Sequence, residues 1–92
     1  MKESEKNVTQ KIVDVKQVQS KEEFASMLEK IAQRLKMDGH FILIDDHVEH
    51  IITPSNQLKV ELSYEKKVDK HSFEIEFDWY EGVNDKGMFK IN

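Results

Sequence analysis

The spacing of the apolar residues changes along the chain, and this change constrains the fold more than any other feature. Between residues 21 and 36 the spacing is three or four residues, which is the repeat of one helix face. The residues in this stripe are Phe24, Met27, Leu28, Ile31, Ala32 and Leu35. From residue 58 to residue 79 most apolar residues stand at every second position, which is the repeat of one strand face. The sequence therefore predicts one amphipathic helix followed by half-apolar strands.

Local residues mark both ends of the predicted helix. Ser20 followed three residues later by Glu23 matches a capping box, in which two side chains satisfy backbone N–H groups that lack helical partners. Gly39 stands where a helix commonly ends in a left-handed residue. We expect the helix to run from about residue 21 to residue 36.

Five segments are predicted to be strands. Residues 41–44 and 48–52 read as a hairpin with its turn near Asp46. Residues 58–65 and 72–79 alternate most regularly, and residues 66–70 supply the loop between them. Residues 8–18 are rich in Val, Ile, Thr and Gln but break strict alternation, which favours an edge strand with a bulge.

These elements predict an α+β fold, a two-layer sandwich with one amphipathic helix packed on a mainly antiparallel sheet. The expected order is β-α-β-β-β-β, with the last four strands forming a meander. We expect a single domain over residues 8–80, a flexible N-terminus over residues 1–7, and a flexible or weakly docked tail over residues 81–92.

Composition argues against several classes of function. The 14 Lys and Arg residues are outnumbered by 18 Asp and Glu, giving a net charge of −4, so a broad nucleic-acid-binding surface is not expected. No segment approaches the roughly 20 apolar residues of a membrane-spanning helix, and the first seven residues lack the apolar core of a signal peptide. We therefore expect a cytoplasmic protein. The chain has no cysteine, which excludes disulfides and thiol chemistry.

The sequence offers no convincing catalytic or metal-binding constellation. His47 and His50 are three residues apart, and an odd separation in a strand places side chains on opposite faces. There is no glycine-rich phosphate loop and no nucleophile–base motif. We expect no enzyme activity, no cofactor and no metal. A small metal-dependent enzyme built around Asp46, His47 and His50 is the weaker alternative.

Alternation in the last two strands places several carboxylates on one sheet face. If Tyr64 pairs with His71, Lys59 lies opposite Glu76 and Glu61 lies opposite Glu74. Trp79 keeps the phase of the apolar side, whereas Tyr80 points the other way and is the freer aromatic residue. The candidate interaction residues are Glu61, Glu74, Glu76, Asp78 and Tyr80.

This face suggests two functions. The first is a non-enzymatic protein-interaction module that uses the acidic sheet face, or that self-associates through an edge strand. The alternative is an acidic mimic that inhibits a nucleic-acid-binding protein, since residues 40–80 carry a net charge of −5.

Residues 18–80 resemble the amphi-Trp domain family, small bacterial and archaeal proteins with amphipathic strands that end in a tryptophan. The matching parts are the helix segment 23–32, the Asp38-Gly39 stop, the Thr53-Pro54-Ser55 turn, the strand 58–65 and the closing segment 73–79. The resemblance implies the α+β fold and no assigned activity, and it leaves residues 81–92 outside the usual pattern.

Overall fold

A computed structural model of the chain describes residues 9–81. It contains one helix followed by four strands, in the order that the sequence predicts from the helix onward. The elements are α1 (Lys21–Asp38), β1 (Phe41–Asp45), β2 (Val48–Ile52), β3 (Lys59–Lys67) and β4 (Lys70–Asp78). The α+β class is confirmed.

The capping residues fix both ends of α1. The Ser20 hydroxyl accepts a hydrogen bond from the Glu23 backbone N–H at 3.0 Å, and the Glu23 carboxylate accepts one from the Ser20 N–H at 2.9 Å. This is the predicted capping box. At the other end Gly39 has a φ of 77°, and its N–H donates to the carbonyl oxygens of Arg34 and Leu35. A glycine adopts this left-handed conformation without the steric penalty of a Cβ.

The predicted turn near Asp46 is confirmed. Asp45 pairs with Val48 across antiparallel β1 and β2, so the turn consists of Asp46 and His47. Both residues have positive φ values, 51° and 70°, as a two-residue type I′ turn requires. Aspartate tolerates this conformation because its short polar side chain can bond locally.

The register of β3 and β4 differs from the predicted one by two residues. Lys67 pairs with Lys70, so the expected loop over residues 66–70 shrinks to the two-residue turn Val68-Asp69. This turn lies one residue later than the predicted register requires, and Tyr64 consequently pairs with Phe73 instead of His71. A shift of two residues leaves each side chain on its predicted face, because the repeat of a strand is two.

The four strands form two separate two-stranded sheets, β1–β2 and β3–β4, instead of one meander. The connection between β2 and β3 covers residues 53–58 and includes Pro54, which has no backbone N–H to donate to a neighbouring strand. Within it, the Ser55 hydroxyl donates to the Gln57 carbonyl at 2.7 Å. This local bond favours a turn over continued strand pairing.

The leading strand predicted over residues 8–18 is not present in residues 9–18, where no strand is assigned. The irregular placement of Ile12, Val13 and Val15 gives this segment no single apolar face to bury, and Val18 is 99% exposed. Val8, the predicted N-terminal segment 1–7 and residues 82–92 of the predicted tail 81–92 lie outside the described residues.

Packing between layers is confined to the helix and the first hairpin. The half-buried side chains include Ile31 and Leu35 on α1 and Phe41, Leu43 and Ile52 on β1–β2. No Cα atom of β3 or β4 lies within 8 Å of a Cα atom of α1, β1 or β2. Among residues 9–81, none is buried. The one helix therefore covers the first hairpin and leaves the second uncovered.

Candidate functional site

The second hairpin, β3–β4, has one side made entirely of apolar and aromatic residues over its central three pairs. Val60 lies opposite Phe77, Leu62 opposite Ile75, and Tyr64 opposite Phe73. Paired residues of an antiparallel ladder point to the same side, so these six side chains form one surface. We call it the apolar face.

Most of the apolar face is exposed to solvent. The exposed fraction is 58% for Val60, 62% for Leu62, 64% for Tyr64, 60% for Phe73 and 50% for Ile75. Large side chains with this alternation are normally buried against a second layer, because their transfer from water is favourable. No element among residues 9–81 supplies that layer to β3–β4.

Aromatic and basic groups lie at the turn end of the apolar face. The Tyr64 hydroxyl oxygen lies 2.6 Å from Nδ1 of His71, and the two rings stack with centroids 5.8 Å apart. Phe73 lies 6.5 Å from Tyr64 between ring centroids, in a tilted arrangement. Lys66 pairs with His71 and therefore points to the same side. The strand residues at this end therefore place a cationic group and hydrogen-bonding groups on the apolar face.

Trp79 lies at the opposite end of the apolar face. Its ring stacks on Phe77 with centroids 5.9 Å apart and an angle of 20° between the planes. Both side chains are half-buried. Trp79 also lines a cleft with residues 9–13 and 49–53, and Tyr80, which is 82% exposed, lines the same cleft. The tryptophan and residues at the end of β2 thus line the same cleft.

The other side of β3–β4 brings together the four carboxylates singled out from the sequence. Glu61 lies directly opposite Glu76, so two like charges face each other, whereas Asp78 lies opposite Lys59. Glu74 lies opposite Ser63. Tyr80 follows the end of β4 and lies outside the paired residues. We call the surface formed by Glu61, Glu65, Glu74, Glu76 and Asp78 the acidic face.

The histidines are dispersed. His47 lies in the β1–β2 turn, His50 pairs with Leu43 in the first hairpin, and His71 contacts Tyr64. In His40, Nδ1 lies 3.2 Å from the carbonyl oxygen of Asp38. Within residues 9–81, no group of three or more His, Asp or Glu side chains could hold a metal ion.

The sequence predicted that the four candidate carboxylates share one side of the hairpin, as they do, but it did not indicate the exposure of the apolar face. Comparing the apolar surfaces with the elements that can cover them reveals this exposure only once the two hairpins are known to form separate sheets. The chain has one amphipathic helix, and both hairpins carry apolar residues on a side that requires a cover. One helix cannot cover two separate two-stranded sheets.

Each sheet has two strands, so each strand keeps one backbone edge unpaired within its sheet. Such edges present free N–H and C=O groups to an approaching strand. No helix within the part of the chain that the structure describes is long and apolar enough to cross a membrane.

Comparison with known proteins assigns the family. No curated protein and no solved structure matches the chain. The Amphi-Trp domain matches residues 6–92. The match includes the residues after Trp79, so their placement outside the family pattern was wrong. Because the match spans nearly the whole sequence, the chain belongs to the Amphi-Trp domain family.

Proposed function

We propose that this protein is a non-enzymatic protein-interaction module that binds through the apolar face of β3–β4. The observation that carries the proposal is the 50–64% exposure of Val60, Leu62, Tyr64, Phe73 and Ile75 on one continuous surface. Contiguous apolar surface of this kind on a soluble protein marks an interaction site.

The stability of the hairpin supports the proposal. A two-stranded hairpin alone is marginally stable in water, and it becomes stable when its apolar side packs against another layer. The β3–β4 hairpin has no such layer among the described residues. A bound protein would supply it, so binding and ordering of this hairpin would be coupled.

The residue types on the apolar face also suit a protein partner. Tyrosine and phenylalanine offer large contact areas at a low cost in side-chain entropy, and aromatic residues are enriched at the centres of interfaces. Tyr64 and Phe73 form a directly opposed pair, and Tyr64 keeps a hydroxyl for hydrogen bonding.

Site-specific photo-crosslinking in cells tests this proposal. A photoreactive phenylalanine at position 64 should form a covalent adduct with protein, because the Tyr64 side chain lies in the proposed interface. The matched control is the same residue at position 65, since Glu65 is the next residue of β3 and points to the acidic face. Equal adduct formation at both positions, or none at position 64, would contradict the proposal.

The acidic face supports a second candidate, the acidic mimic that competes with nucleic acid for a basic protein. Glu61 and Glu76 lie directly opposite each other across the ladder. This pair favours the candidate, because selection for stability alone would avoid two like charges at such positions. Changing Glu61, Glu74 and Glu76 to Lys should then abolish capture of nucleic-acid-binding proteins from a nuclease-treated lysate. Unchanged capture by the folded variant would exclude this candidate.

A further inference from the structure

We propose that the partner of the apolar face is a second copy of this chain, and that two β3–β4 hairpins stack face to face around a two-fold axis. The inference rests on the proposed function for the choice of surface and goes further by naming the occupant. The central pair Leu62–Ile75 would lie near the axis, because it is the middle of the three apolar pairs. A two-fold interface places the same patch of both copies in contact.

The distribution of charge favours self-association of this face. All five carboxylates of the hairpin strands point away from the apolar face, toward the acidic face. Stacking two copies through their apolar faces therefore places the two acidic faces on opposite outer surfaces. A chain with a net charge of −4 can pair with itself in this way without bringing the carboxylates of these strands together.

The available area is of the size that a dimer needs. The exposed side chains of the apolar face present roughly 300–500 Å² per copy, judged from typical apolar and aromatic side-chain areas. Leu58, Lys66, His71 and Trp79 extend the surface at its two ends. The apolar face alone then contributes about 600–1,000 Å² to a stacked pair, and these extensions bring the total to about 1,000 Å², the lower bound for a specific interface.

The two ends of the apolar face differ in a way that suits antiparallel stacking. The turn end carries the ammonium group of Lys66, and the other end carries the aromatic rings of Phe77 and Trp79. A two-fold axis that lies in the interface and runs perpendicular to the strands places the turn end of one copy over the tryptophan end of the other. Lysine over an aromatic ring is a favourable cation–π arrangement.

Edge-to-edge pairing of the hairpins would not remove the apolar faces from water. It would satisfy the free backbone edges, but it would join two apolar faces into one larger exposed surface. Face-to-face stacking removes that surface from water, and two sheets packed about 10 Å apart form the usual core of a sandwich.

Sedimentation velocity of the full chain over a range of concentrations tests the proposal. We expect a monomer–dimer equilibrium in the unmodified protein, and Leu62→Lys should weaken the dimer by about 30-fold or more, as for a residue at the centre of an interface. Ser63→Lys is the matched control, because it adds the same charge one residue away on the acidic side. We expect Ser63→Lys to leave the dissociation constant within about threefold of the unmodified value, as at non-central positions.

A second variant keeps the test valid if the added charge unfolds the hairpin. The chain has no cysteine, so Leu62→Cys introduces a single thiol at the proposed axis. A short bismaleimide should convert this variant to a species of twice the chain mass, and should leave Ser63→Cys monomeric. Equal crosslinking of the two variants, or none in either, would overturn the proposal.

A protein that stays monomeric at all concentrations would also overturn the second copy as the occupant. Photo-crosslinking at position 64 would then separate the remaining cases. An adduct with a different protein would leave the proposed function standing, whereas a crosslink to residues 82–92 of the same chain would remove both proposals.

Discussion

Val68 occupies a backbone conformation that its side chain disfavours. It is the first residue of the β3–β4 turn and has a φ of 58°, which is unusual for a β-branched residue. The side chain is 86% exposed and gains little from packing. Glycine adopts this conformation readily and is preferred at the first position of a two-residue type II′ turn.

We therefore expect Val68→Gly to stabilise the hairpin by about 1 kcal/mol. Urea unfolding followed by the fluorescence of Trp79, the single tryptophan, measures this change next to the hairpin. Asp69→Gly serves as the control. Asp69 has no positive φ, so we expect the added chain entropy of this glycine to lower the stability by about 0.5–1 kcal/mol. A lower midpoint for Val68→Gly than for the unmodified chain would show that the turn is not strained.

The opposed pair Glu61 and Glu76 gives a second prediction at the residue scale. Replacing Glu61 with Lys converts a repulsive cross-strand pair into an attractive one, and we expect a gain of about 0.2–1 kcal/mol at low salt. The difference between the unfolding midpoints of this variant and the unmodified chain should shrink at high salt, since salt screens exposed charges. The reverse change, Lys59→Glu opposite Asp78, should destabilise the hairpin. Equal midpoints for the two variants would contradict the observed register.

Residue-level register was the part of the fold that the sequence predicted least well. The usual turn residues, Asn and Gly, are absent from residues 66–70, so the position of the β3–β4 turn could not be read from local preferences. The strands extend to Val68-Asp69 because cross-strand pairing of nine residues on each side outweighs the poor turn conformation. The faces were still predicted correctly, because a two-residue slip preserves them.

At the scale of elements, α1 depends on its N-terminal cap. Ser20→Ala removes the hydroxyl that accepts the Glu23 N–H, and we expect a loss of about 1 kcal/mol in helix stability. Ser26→Ala is the control, since Ser26 lies in the exposed helix interior, where Ala is the better helix former. Thermal unfolding by far-UV circular dichroism compares the two, and equal melting temperatures would argue against the capping box.

The helix and the first turn were predictable because their determinants are local. The capping box, the apolar stripe and Gly39 all act within one or two helical turns. The division into two sheets was not predictable in this way, since alternation shows which residues share a face but not which strand pairs with which. The segment that contains Pro54 separates β2 from β3, and the two strands do not pair with each other.

At the scale of the whole molecule, the chain has more apolar surface than its own described elements cover. The helix packs on β1, and the apolar face of β3–β4 remains in water. Sequence reasoning found the acidic face but assumed that the opposite face belonged to a core. That assumption fails because the second hairpin is a separate sheet, and no element among residues 9–81 covers it.

The most direct test of this account is an isotope-filtered NOE experiment on an equimolar mixture of labelled and unlabelled full-length chain. Contacts between chains are then distinguished from contacts within one chain. We expect intermolecular NOEs from the methyl groups of Leu62 and Ile75 to the rings of Tyr64 and Phe73. If these methyl groups show NOEs only within their own chain, the proposed dimer is contradicted.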